Sequence, residues 1–196
     1  MSRIISGIAG GTTLKSVPGD ATRPTTDRVK EALFSRLESW NVISSARVLD
    51  LFAGSGALGL ETASRGARQV LLVELAPKAV SVCQQNAAKI NVALKGQIAS
   101  VQRGKVDSVL AGFVDEETSL TRKTFDLVFM DPPYPLTEQE LSATLEKVSR
   151  VLAEDATLIV ERSSRSPEPQ WPSGLEKIAD KKYGETHLWF AEPVQG

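Results

Sequence analysis

The chain has one cysteine, Cys83, and one histidine, His187. A single thiol excludes an internal disulfide and fits a reducing compartment, so a cytoplasmic location is expected. One histidine with one cysteine leaves too few ligands for a zinc cluster, and no metal is expected. No run of about 18 apolar residues occurs, so no membrane span is expected. The N-terminal stretch MSRIISGIAGG holds one basic residue and no long apolar segment, so no signal peptide is expected. The pattern G-x-x-x-x-G-K-[ST] is absent, which argues against a P-loop nucleotide hydrolase.

A large excess of one charge is also missing, because the formal net charge is -1. The charge is nevertheless uneven. Residues 1–47 hold seven basic and four acidic groups, a balance of +3, and the remainder holds 16 basic and 20 acidic, a balance of -4. A basic N-terminal segment on a mildly acidic body suits a polyanion partner, or a solvated helix face carrying Arg28, Lys30 and Arg36. At 196 residues and 41% hydrophobic content the chain is long and apolar enough for one domain with a sizeable core.

Residues 1–24 are rich in Gly, Thr and Pro, and their short β-like patches predict a small hairpin extension. A helix is expected over about 26–40, with Thr25 or Thr26 as its cap and Val29, Leu33, Leu37 and Trp40 on one face. Strands and helices then alternate. Apolar strands are expected at 47–52, 69–74, 97–102, 125–130 and 157–162. Helices are expected at 57–66, from Pro77 onward, near 106–113, and after the capping box of Thr137 and Glu140. Two antiparallel strands joined near Gly184 end the chain. This alternation predicts an α/β fold with a mostly parallel sheet covered on both faces and a terminal antiparallel pair.

Two stretches carry chemistry. VLDLFAGSGALGLE places Gly54, Gly56 and Gly59 in G-x-G-x-x-G spacing between a strand and a helix. Glu74 ends the next strand, 74 - 54 = 20 residues on, the separation of an acid that grips ribose hydroxyls. An adenosine-containing ligand follows. Asp50 lies four residues before Gly54, where a carboxylate can face the amino group of a methionine moiety; this favours S-adenosylmethionine over a nicotinamide dinucleotide. The second stretch, FDLVFMDPPYP, ends a core strand on Asp131. The prolines remove backbone N–H groups and leave acceptors. Asp131 and the Pro132 carbonyl can then accept both hydrogens of an exocyclic amine, and Tyr134 offers a stacking face for an extruded base.

With these residues assembled, the sequence resembles the class I S-adenosylmethionine-dependent amino-methyltransferases, whose tetrapeptide is [DNS]-P-P-[YFW]. More narrowly it resembles the bacterial 16S rRNA (guanine-966)-N2-methyltransferases of the RsmD type. The likeness rests on RIISGIAGG (3–11), RPTTDRVKEALF (23–34), the glycine loop (48–61), LLVE (71–74), DPPY (131–134) and YGETHL (183–188). It implies a Rossmann-like class I methyltransferase fold with a seven-stranded sheet, as one domain over 25–196 behind an RNA-contacting extension over 1–24. It implies methyl transfer to a guanine N2 of 16S rRNA, in a small-subunit particle, by a monomer. The implied catalytic residues are Asp131, Pro132 and Tyr134. Asp50, Phe52, Ala53, Gly54, Gly56, Glu74 and Asp131 are implied for the cofactor, and Arg23, Thr25, Thr26, Arg28, Pro133 and Tyr134 for the RNA. The chain departs from many relatives after the third strand, where Lys105, Val106 or Asp107 stands near the expected adenine contact. The tetrapeptide alone also admits an adenine-N6 or cytosine-N4 methyltransferase, and the fold admits a non-catalytic RNA-binding assembly factor.

Overall fold

A computed structural model describes residues 2–19, 25–115, 124–133 and 135–196. The expected boundary at residue 24, Arg23 and Tyr134 lie outside the described residues.

The elements in order are β1 (Ser2–Arg3), β2 (Thr13–Leu14), α1 (Asp27–Ser39), β3 (Arg47–Leu51), α2 (Ala57–Ser64), β4 (Gln69–Glu74) and α3 (Pro77–Leu94). They continue with β5 (Ala99–Arg103), α4 (Val106–Asp115), β6 (Phe125–Met130), α5 (Glu138–Ser149), β7 (Leu152–Ser163), β8 (Leu175–Tyr183) and β9 (Thr186–Pro193). Seven strands form one sheet in the order β5-β4-β3-β6-β7-β9-β8. The first five of that order pair in parallel, whereas β9 is antiparallel to both β7 and β8. The sheet is thus the mostly parallel one with a terminal antiparallel pair that the sequence pattern predicts. Among the described residues no helix is long and apolar enough to cross a membrane.

The central strands β3 and β6 are buried nearly throughout, as unbroken apolar runs require when both faces are covered. On one face Leu33, Phe34 and Leu37 of α1 pack with Leu127, Phe129 and Ile159. On the other, Leu110 of α4 and Leu141, Leu145 and Val148 of α5 pack with Val128, Met130 and Val160. Each such side chain, once fully buried, contributes roughly 1.5–3 kcal/mol.

Local chemistry fixes the helix ends. Thr26 caps α1 by accepting from the Val29 N–H, whereas the Thr25 hydroxyl is directed elsewhere. Gly66, at φ 106°, follows the C-cap of α2; its N–H donates to Ala63 O and the Ala67 N–H to Thr62 O, closing a Schellman turn. Thr137 and Glu140 form the capping box of α5.

Several expectations change. Strand β7 begins at Leu152, five residues before the expected start, because a register shift lets Leu152 pair with Phe125 before Thr157 pairs with Leu127. Strand β5 is displaced to Ala99–Arg103. Trp40 is 37% exposed, resting edge-on against Phe190 instead of entering the stripe. Lys30 is not on a solvated face: it is 1% exposed, with its ammonium donating to Arg3 O at 2.9 Å and lying 3.7 Å from Glu61.

The N-terminal hairpin pairs Ser2 with Leu14 and Arg3 with Thr13. It does not stand apart from the rest of the fold, since Ile4, Ala9 and Leu14 enter the α1-side core. Glu61, fully buried on α2, accepts from the Ile5 and Ser6 N–H groups, and Ser64 accepts from the Ile8 and Ala9 N–H groups.

Candidate functional site

Strand order reverses at β3, which has β4 on one side and β6 on the other. Loops leaving the carboxyl ends of such strands diverge and open a crevice. Leu51 pairs with Val73 and with Met130, so three strands end level with one another. The glycine loop, Glu74 and Asp131-Pro132 therefore leave the sheet at one edge.

Asp50 is the inward carboxylate of β3, only 2% exposed. Its Oδ2 accepts from the Gly59 N–H at 2.9 Å. Burial pushes its pKa up to about 7; the Gly59 N–H opposes the shift and the charge of Glu74 adds to it. A cationic ammonium is the partner that would restore its charge. After Leu51 the chain turns sharply through Phe52, at φ 61°, a left-handed conformation uncommon for an aromatic residue. Ala53 then donates to Val73 O, and Gly56 donates back to Ala53 O.

Glu74 ties this loop down. Its Oε2 accepts from the Gly54 N–H at 2.8 Å, while Oε1 accepts from the Leu75 and Ala76 N–H groups at the turn into α3. Gly54 stands at φ 58° with nothing within 4 Å of where a Cβ would lie, leaving room for a ligand to approach the backbone. Gly59 is the opposite case: a Cβ there would lie 2.5 Å from Leu72 Cδ2 and 3.0 Å from Asp50 Oδ2.

Asn86 was not singled out by the sequence, which shows it only as a polar residue on α3. It is 1% exposed, and its side-chain amide donates to the carbonyls of Ser55 and Lys15 while accepting from the Lys15 N–H. The glycine loop, α3 and the segment after β2 meet on this one side chain.

Across the crevice Asp131 is exposed, Pro132 is buried and Pro133 is exposed. The Leu136 N–H donates to Pro133 O, and Glu138, at the start of α5, pairs with Arg162 of β7. The segment after Asp131 is thereby fastened at its far end. Thr25 donates its hydroxyl to Glu161 at 3.2 Å. Burial holds the Glu161 carboxyl above the usual carboxylate range, against the opposing Thr25 bond. Glu161 is not among the residues expected from the sequence, although a signal exists: TLIVE carries an acid directly after an apolar run, as QVLLVE and FDLVFMD do. Thr26 and Arg28 are exposed.

Of the three residues near the expected adenine contact, Asp107 is engaged elsewhere. It accepts from the Thr144 hydroxyl at 2.9 Å and pairs with Lys147 of α5. Val106 is buried and Lys105 exposed. Among the described residues no group of three or more His, Cys, Asp or Glu side chains is arranged to hold a metal. One shallow recess lies at the opposite end of the sheet, lined by Arg47, Arg68, Gln69 and Gln97.

Comparisons with known proteins give the family and the fold. A family model described as Conserved hypothetical protein 95 matches residues 2–192. The chain is 36% identical over 183 residues to the ribosomal RNA small subunit methyltransferase D of Escherichia coli K12, covering 93% of this chain and 85% of that one. It is 32% identical over 165 residues to the protein of the same name from Haemophilus influenzae, covering 84% of this chain and 80% of that one. A solved structure of a hypothetical protein from Thermus thermophilus superposes with a TM-score of 0.76 at 29% identity, covering 98% of this chain and 99% of that one.

Proposed function

This chain belongs to the family described as Conserved hypothetical protein 95, and on that premise we propose that it transfers a methyl group from S-adenosylmethionine to the exocyclic N2 of a guanine in 16S rRNA. The substrate is the RNA in a small-subunit particle. The observation that carries the reading is the convergence of Asp50, the glycine loop, Glu74 and Asp131-Pro132 at one edge of the sheet, where its order reverses.

S-adenosylmethionine supplies a methyl group on a sulfonium centre, electrophilic without any metal. The residues fit that donor. Asp50 is a buried carboxylate whose charge a ligand ammonium would stabilise. Glu74 can exchange its backbone partners for ribose hydroxyls. Phe52 and Ala53 shape the turn, and Gly54 and Gly56, at φ 58° and 85°, let its backbone lie against the ligand.

Asp131 and the Pro132 carbonyl accept the two amine hydrogens and turn the nitrogen lone pair toward the methyl carbon. The N–C bond forms as the S–C bond breaks. The surplus proton leaves the nitrogen along the hydrogen bond to Asp131 and passes to solvent. Positioning and hydrogen bonds that tighten in the transition state supply the rate. Tyr134 and Pro133 are proposed to stack and hold the base. Arg23 and Arg28 are proposed to meet RNA phosphates, with Thr25 and Thr26 setting the start of α1.

The test is transfer of labelled methyl to small-subunit particles isolated without this modification. Incorporation into 16S rRNA supports the reading; none, with a chain that binds S-adenosylmethionine, contradicts it and favours a non-catalytic RNA-binding role.

A further inference from the structure

The proposed tetrapeptide chemistry handles any exocyclic amine, so it leaves the choice of base unexplained. Resting on that proposed function, we infer that Glu161 selects guanine by accepting a hydrogen bond from its N1–H. Asp131 and the Pro132 carbonyl are left to hold the two N2 hydrogens.

Position comes first. Val160 of β7 pairs in parallel with Met130, the last residue of β6, so Glu161 and Asp131 each follow one member of that pair at the same edge, Glu161 still within β7 and Asp131 directly after β6. Side chains alternate along a strand, and residues level with one another in a sheet share a face. Phe129 and Ile159, two positions back, both face the α1-side core. Leu188, the partner of Glu161 on β9, does the same. Glu161 therefore faces the α1 side, and the same alternation carried one residue past β6 puts Asp131 on that face too, about one strand spacing, roughly 4.8 Å, away.

The environment of Glu161 is that of an acceptor short of donors. Among the described residues Thr25 is its hydrogen-bonding partner and no cation pairs with it. One hydroxyl fills a small part of a carboxylate's acceptor capacity, which spans about four lone-pair sites. The Thr25 bond holds the carboxylate in place without neutralising it, and burial raises the cost of leaving it charged.

The bases differ where this carboxylate would read them. Guanine carries N1–H beside its amine, two donors in a row. Adenine and cytosine carry a bare ring nitrogen beside theirs, whose lone pair would face the Glu161 carboxylate. A site built to accept from a substrate N–H rejects analogues lacking it far more strongly than a hydrophobic pocket rejects a shape change. Thr25 is then a positioning residue acting through Glu161.

The experiment compares kcat/KM on two particle substrates, one with guanosine and one with 2-aminopurine at the target nucleotide. The purine analogue keeps the amine but has a bare N1, and it also lacks O6. The wild-type chain is expected to prefer guanosine by about 100-fold. In Glu161→Gln the side-chain amide can donate to the bare N1, so the preference is expected to shrink to about tenfold or less. Loss of O6 acts equally on both chains, so the change in ratio isolates Glu161. Equal methylation of both substrates by the wild type overturns the inference without needing any variant. A Glu161→Gln chain that folds, binds S-adenosylmethionine and keeps the wild-type ratio, with both rates lowered alike, also overturns it. No methylation of guanosine by the wild type would instead sink the proposed function on which this rests.

Discussion

The side-chain amide of Asn86 donates to the carbonyl oxygen of Ser55 at 2.9 Å, so a buried asparagine of α3 carries the glycine loop. The same side chain binds both backbone groups of Lys15. Replacing it with Ala leaves those groups in a nearly closed space, at about 1–3 kcal/mol for an unsatisfied polar group. Asn86→Ala is expected to weaken S-adenosylmethionine binding by about tenfold or more and to lower the melting temperature. Isothermal titration and a thermal melt check this; unchanged affinity would mean that the loop holds its shape alone.

Asp50 makes stability depend on pH. Its folded pKa of about 7 lies above the unfolded value of 3.8, so the folded chain holds this proton more tightly. The resulting stabilisation is full below about pH 4 and is lost as the pH rises toward about 7. Asp50→Asn keeps an oxygen for the Gly59 N–H and does not titrate. The melting temperature of the ligand-free variant should therefore gain on the wild type between about pH 4 and pH 7 and level off above that, by about 2–4 °C per kcal/mol. A constant difference across that range would mean that Asp50 is not strongly perturbed.

Glu61 anchors the hairpin. It sits between the Arg65 guanidinium, at 2.9 Å, and the buried Lys30 ammonium, at 3.7 Å. Burial lowers the Lys30 pKa, and Glu61 and Asp27 act against that shift. Glu61→Leu would leave an uncompensated buried cation and two orphaned N–H groups, at about 3–5 kcal/mol. A denaturant titration should show that loss. A loss below about 1 kcal/mol would show that the network contributes little.

Gly59 has no space for a methyl group, given the 2.5 Å approach to Leu72 Cδ2. Gly59→Ala is expected to cost about 1–3 kcal/mol by overpacking and to weaken cofactor binding by displacing Asp50. Gly54→Ala meets no atom but must hold φ 58°, so it should cost less in stability and act mainly on ligand affinity. Paired melts and titrations of the two variants separate the effects.

Asp131→Ala should leave the affinity for S-adenosylmethionine nearly unchanged and lower kcat by about 100-fold or more, since it removes a hydrogen bond that tightens in the transition state. Equal loss of binding and turnover would place Asp131 on the cofactor alone.

Much of this was legible in the sequence because it is local. The run FDLVFM has to be a doubly buried strand, and Thr137 with Glu140 announces the start of α5 within four residues. The glycine spacing and the acid at Glu74 were legible for the same reason. What escaped depends on partners distant in the chain. Lys30 reads as a surface lysine until Glu61, 61 - 30 = 31 residues on, is folded beneath it. The early half of β7 was hidden by exposed Glu154 and Asp155, which mark the irregular register and not the end of pairing. Thr25 and Thr26 looked interchangeable as caps, and the choice between them is made by Glu161, contributed by a strand 136 positions away.

The most direct test of the central claim is nucleoside analysis by mass spectrometry. Small-subunit particles lacking the modification are incubated with the chain and S-adenosylmethionine, and the 16S rRNA is digested to nucleosides. The account predicts a gain of N2-methylguanosine, absent when Asp131→Ala replaces the wild type. A gain of N6-methyladenosine or N4-methylcytidine, or no methylated nucleoside at all, would contradict it.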